Sequence, residues 1–301
     1  MDTRASRLRR LIDSPQLTFL MEAHNGLSAR IVEEAGFDAI WAGGLVLSAS
    51  HGLRDCNEAS WTQTLDCIEL MADAASLPIL VDGDTGHGNF NNARRFVQKL
   101  EQRGVAGVCL EDKLFPKTNS FIDGETQPLA DCDEFCGKLK AAKDAVHDDQ
   151  FVVVARTEAL IAGRGLAEAL RRADAYRRAG ADAILIHSAR SDVGEVVEFK
   201  RAWGTALPVL AVPTKYYNAP TETFRSHGFS ALIWANHLLR SCIRAMQETA
   251  SRVFADQCLH NVEGAIAPLS EVFRLQRMDE LHEAEHRYLT PSSPNGLQRI
   301  A

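Results

Sequence analysis

Eight short apolar runs alternating with amphipathic segments, and one phrase repeated four times, predict a (β/α)8 barrel for this 301-residue chain. The phrase reads EAGFDAIW at 34–41, RGVAGVCLE at 103–111, AGADAILIH at 179–187 and HGFSALIWAN at 227–236. In each copy a glycine (Gly36, Gly104, Gly180 or Gly228) ends a helix, and an apolar run with the length of a buried parallel strand follows. Between these copies lie LTFLMEA at 17–23, PILVD at 78–82, FVVVA at 151–155 and PVLAV at 208–212, which completes eight strands. A doubly wound open sheet shares the local pattern, but alternation repeated eight times favours closure. No Pro/Gly/Ser-rich linker interrupts it, so residues 1–301 are expected to form one barrel domain.

The helices follow from apolar spacing. Leu27, Ile31 and Val32 mark the first, Phe96, Val97 and Leu100 the third, and Leu166, Leu170 and Ala173 the fifth. After the eighth strand, 238–258 and 269–288 read as two amphipathic helices, a C-terminal extension over about 238–289. The last residues, TPSSPNGLQRIA at 290–301, read as a frayed tail.

Composition narrows the function. With 46% hydrophobic and 24% charged residues the chain is globular, and a net charge of −7 argues against nucleic-acid or anionic-membrane partners. Seven scattered cysteines, an odd count, read as reduced structural thiols. The N-terminus MDTRASRLRRLIDS lacks an apolar signal core, and no apolar stretch is long enough to span a bilayer, so a cytoplasmic protein is expected.

Active sites of such barrels form where strands end at the C-terminal face. The second strand ends in Trp41-Ala-Gly-Gly44-Leu45, the third in Asp82-Gly-Asp84, the fourth in Glu111-Asp-Lys113, the fifth in Arg156 and the sixth in His187. Asp82 and Asp84, two apart, leave an extended backbone on one face, and Glu111 arrives from the next strand. Three clustered carboxylates require a cation, and oxygen-only ligands select a hard one, Mg²⁺. Gly43 and Gly44 allow backbone N–H groups to approach an anionic oxygen, though a Gly-Gly pair is usually only a turn. Arg156 offers a planar fork for carboxylate or phosphoryl oxygens, and His187 a further donor. Together they describe a small, multiply anionic substrate held with Mg²⁺. The loop LFPKTNSFIDGETQPLAD at 114–131 is long for its place and reads as a lid carrying Lys117, Asn119 and Ser120.

Two patterns are set aside. His282-Glu-Ala-Glu-His286 matches a zinc-protease spacing, but no third ligand follows it. Cys132 and Cys136 lie one helical turn apart with no second pair to complete a metal site.

The string Glu111-Asp-Lys-Leu-Phe-Pro-Lys-Thr-Asn-Ser120 resembles the phosphoenolpyruvate mutase family of the isocitrate lyase superfamily. The same holds for Asp82-x-Asp84-Thr-Gly-x-Gly-Asn, Pro213-Thr-Lys-Tyr-Tyr217 and Trp234-Ala-Asn-His237, and the likeness runs from about residue 17 to 289. The resemblance implies interconversion of phosphoenolpyruvate and phosphonopyruvate, the opening step of phosphonate biosynthesis. It implies that Asp82 holds Mg²⁺, with Asp84 and Glu111 acting through bound waters, and that N–H groups of Gly44 and Leu45 bind pyruvyl oxygens. Trp41 would pack on the pyruvyl plane, Asp55 would lie near the metal and reacting centre, and Arg156 and His187 would hold anionic oxygens. Lys117, Asn119 and Ser120 would close on the phosphoryl group. A homotetramer of dimers exchanging the eighth helix is also implied.

The chain departs from the family pattern at Gly83, where Ala is usual, and at Ala42-Gly43, where Gly-Ser is more familiar. A phosphonopyruvate hydrolase is the nearest rival, but such enzymes carry Thr at the position of Asn119. A carbon–carbon lyase would carry a lid cysteine where this chain has Lys117-Thr-Asn-Ser120.

Overall fold

The computed structural model describes residues 2–289; the expected frayed tail, 290–301, lies outside them. The chain divides into two compact units, Met1–Arg240 and Ser241–Ala301.

In the first unit, α1 (Arg4–Asp13) precedes eight strands that alternate with helices: β1 (Thr18–Glu22), α2 (Gly26–Glu34), β2 (Ala39–Ala42), α3 (Gly44–Ser50), α4 (Trp61–Ala74) and β3 (Ile79–Asp82). There follow α5 (Phe90–Gln102), β4 (Gly107–Glu111), α6 (Cys132–Ala145), β5 (Val152–Thr157), α7 (Gly165–Arg178) and β6 (Ala183–Ile186). The unit finishes with α8 (Gly194–Trp203), β7 (Val209–Ala211), α9 (Thr221–Ser226) and β8 (Ala231–Trp234). Each strand pairs in parallel with the next, and β8 with β1, so the barrel closes as expected. The four glycines of the repeated phrase all have positive φ, from 70° to 100°.

Strand alternation sorts the apolar residues into two layers. Ile40, Ile79, Val81, Val108, Val153 and Ile184 face outward to the helices. Leu20, Trp41, Leu80, Cys109, Val154 and Leu185 fill the barrel, and Leu8 and Ile12 of α1 pack in the same cluster, stoppering the N-terminal end. The apolar fill stops where the next inward positions begin: Asp82 two residues after Leu80, Glu111 after Cys109, Arg156 after Val154 and His187 after Leu185. Polar side chains are thereby delivered to one end of the barrel by the same period that packs its interior.

One reading of the first helix needs correction: Val32 is buried, but Leu27 and Ile31 are 48% and 41% exposed, and Ala29 takes the inward place. The second C-terminal helix is also not continuous. The chain forms α10 (His237–Asp256), α11 (His260–Glu263), α12 (Leu269–Leu275) and α13 (Met278–Tyr288). Arg277, with φ of 56°, breaks the helix expected over 269–288, because a left-handed residue cannot continue a right-handed one. In the second unit Met246, Phe254, Leu269 and Tyr288 are each at least 60% exposed. Among the described residues no helix is long and apolar enough to cross a membrane.

Candidate active site

The strand tips and the 114–131 loop enclose a cavity of about 50 Å³. Trp41, Leu45, Asp55, Asp82, Arg156 and His187 line it, together with Lys117, Asn119 and Ser120 of the loop. Gly44, Asp84 and Glu111 stand directly behind, each against a lining group. Gly44 N–H donates to Asp82 Oδ2 (3.3 Å), Asp84 Oδ1 is 2.7 Å from Lys117 Nζ, and Glu111 Oε2 is 3.3 Å from Arg156 Nη2. All twelve residues singled out in the sequence are therefore brought together.

Asp84 reaches the site by another route than the one expected. β3 ends at Asp82, and Asp84 has a left-handed backbone (φ 50°), its N–H donating to Asp82 Oδ1 at 3.2 Å. The turn, not an extended strand, gathers the two carboxylates. Gly83 at its apex is packed tightly: a Cβ there would stand 2.7 Å from Val108 Cγ2 and 2.8 Å from Leu110 Cδ2. At Gly44 a Cβ would stand 2.8 Å from Asp84 Oδ1, so a side chain would intrude on the carboxylates.

Charge balance decides the chemistry. Burial pushes the carboxyls of Asp82 and Glu111 up, against the pull of Lys117 and Arg156 respectively, and takes Asp84 up to about 6 despite Lys117. Glu111 Oε1 is buried with no hydrogen-bond partner, and Glu111 Oε2 and Asp84 Oδ1 have only their ion pairs with Arg156 and Lys117. Buried carboxylate oxygens left in this state fit a cation. Among the described residues no three His, Cys, Asp or Glu side chains converge on one point as a metal site, so the case for a cation rests on the state of these carboxylate oxygens. His282 and His286 lie on α13, and no metal cluster forms around them either. All seven cysteines are free thiols.

The loop is seated over the cavity by specific bonds. Lys117 Nζ bridges Asp55 Oδ1 (2.9 Å) and Asp84 Oδ1, while Asn119 Nδ2 donates to Asp55 Oδ2 at 2.7 Å. Burial disfavours the Asp55 carboxylate, but Lys117 and Asn119 more than offset this and hold its carboxyl below the usual range. Phe121 packs on the His187 ring (centroids 5.1 Å apart), under Lys215 Nζ at 4.8 Å. Burial, reinforced by Arg156, lowers His187 to about 4, so the ring is neutral near pH 7.

Sequence reasoning missed three residues. Glu158 is wholly buried against Arg156 and His187. It is the next inward position in Arg156-Thr-Glu158, so the alternation that exposed Arg156 contained its signal. Asn57 ties the lid to the metal side, its Nδ2 donating to Asp84 Oδ2 (2.8 Å) and its Oδ1 accepting from Lys117 N–H (2.7 Å). Asn236 lines the cavity from the turn after β8. Nothing in the local sequence of Asn57 announces its place, whereas Asn236 stands in Trp234-Ala-Asn-His237, just past the eighth strand. Asp112, beside Glu111, braces the β4–β5 side: it accepts from Tyr176 O–H, Arg172 Nη1 and Glu158 N–H at 2.5, 3.1 and 2.7 Å.

Known proteins resemble this chain over nearly its whole length. A family model described as phosphoenolpyruvate phosphomutase matches residues 8–254. A phosphoenolpyruvate phosphomutase of Tetrahymena pyriformis is 56% identical over 286 residues, 95% of either chain. The crystal structure of phosphoenolpyruvate phosphomutase from Streptomyces platensis subsp. rosaceus superposes with a TM-score of 0.93 at 45% identity, covering 95% of this chain and 99% of that one. A phosphonopyruvate hydrolase solved with oxalate and Mg²⁺ gives 0.90 at 38% identity, covering 96% and 100%. This chain belongs to the phosphoenolpyruvate phosphomutase family.

Proposed function

We propose that this protein is an intramolecular phosphotransferase that interconverts phosphoenolpyruvate and phosphonopyruvate. The observation that carries the reading is the lid: Asn119, seated on Asp55, closes the loop over a cavity lined by an arginine, a histidine and carboxylates. Such closure suits a reaction in which water must be kept from a migrating phosphoryl group.

Asp82, Asp84 and Glu111 would hold Mg²⁺. When bound, the ion supplies charge that steadies the pyruvyl enolate. Leu45 and Trp41 bound the side of the cavity that takes the pyruvyl plane. Gly44 N–H, which donates here to Asp82 Oδ2, would be free for a pyruvyl oxygen if Asp82 held the ion instead. Arg156 and His187, which also line the cavity, hold phosphoryl oxygens. A loose, metaphosphate-like transition state asks for positioning and charge rather than a strong nucleophile, and these groups provide both. Between phosphonopyruvate and phosphoenolpyruvate the P–C3 bond breaks and a P–O bond to the enolate oxygen forms. Lys117, Asn119 and Ser120 keep the site dry meanwhile.

The same reading makes the protein cytoplasmic and a homotetramer, with residues 238–289 extending the barrel domain and serving assembly rather than chemistry. Phosphorus NMR of the purified protein with phosphonopyruvate and Mg²⁺ tests the activity. Phosphoenolpyruvate appearing before inorganic phosphate is the expected result. Pyruvate and phosphate alone would assign a hydrolase instead.

A further inference from the structure

Glu158 takes no part in the reaction as derived above, yet it is wholly buried at the centre of the site. Its Oε1 accepts from Arg156 Nε at 2.5 Å and stands 3.0 Å from His187 Nδ1. Its Oε2 accepts from the lid hydroxyl of Ser120 at 2.7 Å, with Lys113 Nζ at 3.5 Å. Ser120 Oγ also lies 2.8 Å from both Arg156 Nη2 and Lys113 Nζ. A hydroxyl has one proton and two lone pairs, and both cations can only donate. They occupy the lone pairs, and the proton is left for Glu158. Each bond around Ser120 thus has a fixed direction, and no other acceptor in this cluster takes that proton.

His187 is under the same control. Its Nδ1 lies 3.0 Å from Glu158 Oε1 and 2.9 Å from Arg156 Nη2. A proton on Nδ1 donates to the carboxylate; a bare Nδ1 accepts from the guanidinium. The carboxylate of Glu158 favours the first arrangement and the guanidinium of Arg156 the second, so the charge of Glu158 is what weighs towards a proton on Nδ1. One carboxylate therefore orients the arginine fork and the imidazole with one oxygen, and receives the lid with the other.

We propose that Glu158 is a positioning residue that ties seating of the lid at Ser120 to the orientation of Arg156 and His187. The proposal rests on the reading above for what those two residues hold, but the coupling itself can be measured without turnover. With the lid away, Glu158 Oε2 loses its hydroxyl donor, and Arg156 Nη2 and Lys113 Nζ lose their common acceptor. A carboxylate that served only to fill the core would not pass that change on to His187.

The test is a double-mutant cycle of E158Q and S120A, read by hydrogen exchange of lid residues 114–131 in the presence of oxalate and Mg²⁺. Each single variant is expected to speed lid exchange about tenfold, and the double variant no more than the worse single one, because both remove the same link. Additive losses of about 10²-fold, or an unaltered lid in E158Q, would overturn the proposal. Nitrogen-15 NMR of His187 gives the second readout. The ring is expected to carry its proton on Nδ1 in the parent, to shift towards Nε2 in E158Q, and to change its resonances in S120A. Should E158Q fail to fold, S120A decides alone: an unchanged His187 signal refutes the coupling. If lid and ring respond as expected while phosphonopyruvate yields no phosphoenolpyruvate, the coupling stands and the assigned reaction falls.

Discussion

Asp82, Asp84 and Glu111 crowd negative charge into a region where burial already penalises it, and Lys117 and Arg156 answer only part of it. Turnover should therefore stop on exhaustive chelation and return with Mg²⁺ or Mn²⁺, and Asp82→Ala should lose at least about 10²-fold in kcat/KM while the circular dichroism spectrum stays that of the parent. Full activity after chelation would remove the metal from the scheme. A second expectation concerns pH. His187 is surrounded by Arg156, Lys113, Glu158 and Phe121, and its folded pKa of about 4 lies below the 6.5 of a free ring. As pH falls through 6.5 the unfolded chain takes up this proton first, so the folded state loses stability progressively down to about pH 4. Above 6.5 both states are neutral and this contribution is flat. Glu158, whose carboxyl is held well below its usual value by Arg156 and His187 against the effect of burial, adds its own loss only in more acidic solution. Urea midpoints between pH 7.5 and 4.5 should fall in the parent and fall less in His187→Gln; equal slopes would contradict the assignment.

At the level of elements, the lid is the segment whose role is easiest to isolate. Residues 114–131 carry none of the expected metal carboxylates, so Asn119→Ala should leave Mg²⁺ affinity intact while slowing rearrangement more than about 10²-fold, about 2.7 kcal/mol in barrier. Residual phosphonopyruvate consumption should drift towards phosphate and pyruvate. Rearrangement at the parent rate with no added phosphate would show that the Asn119–Asp55 bond is not what closes the site. Much of this architecture was legible beforehand because a buried parallel strand has a simple period. Leu80 to Asp82 and Cys109 to Glu111 announce both the core and its polar edge. What escaped depends on contacts between distant segments or on single backbone torsions. Asn57 gains its place only when the lid folds over from sixty residues away. Arg277 interrupts a helix whose apolar spacing runs on regardless. Glu158 was within reach, had the inward phase been followed one step beyond Arg156.

For the whole molecule, Phe254 (80% exposed), Leu269 (65%) and Met246 (60%) are large apolar side chains that the proposed assembly would cover. Light scattering at micromolar concentration should give the mass of a tetramer, and a monomer would contradict the assembly proposed above. The stoppered end of the barrel carries a different implication. Leu8 and Ile12 seal the floor with side chains that are at most 2% exposed, so the chamber above them is a dead end rather than a channel. Reactant and product must share one doorway, and nothing can queue behind the molecule inside. Each turnover then includes an opening and a closing of the same flap, so the frequency of that opening sets a ceiling on throughput that faster bond-making cannot lift.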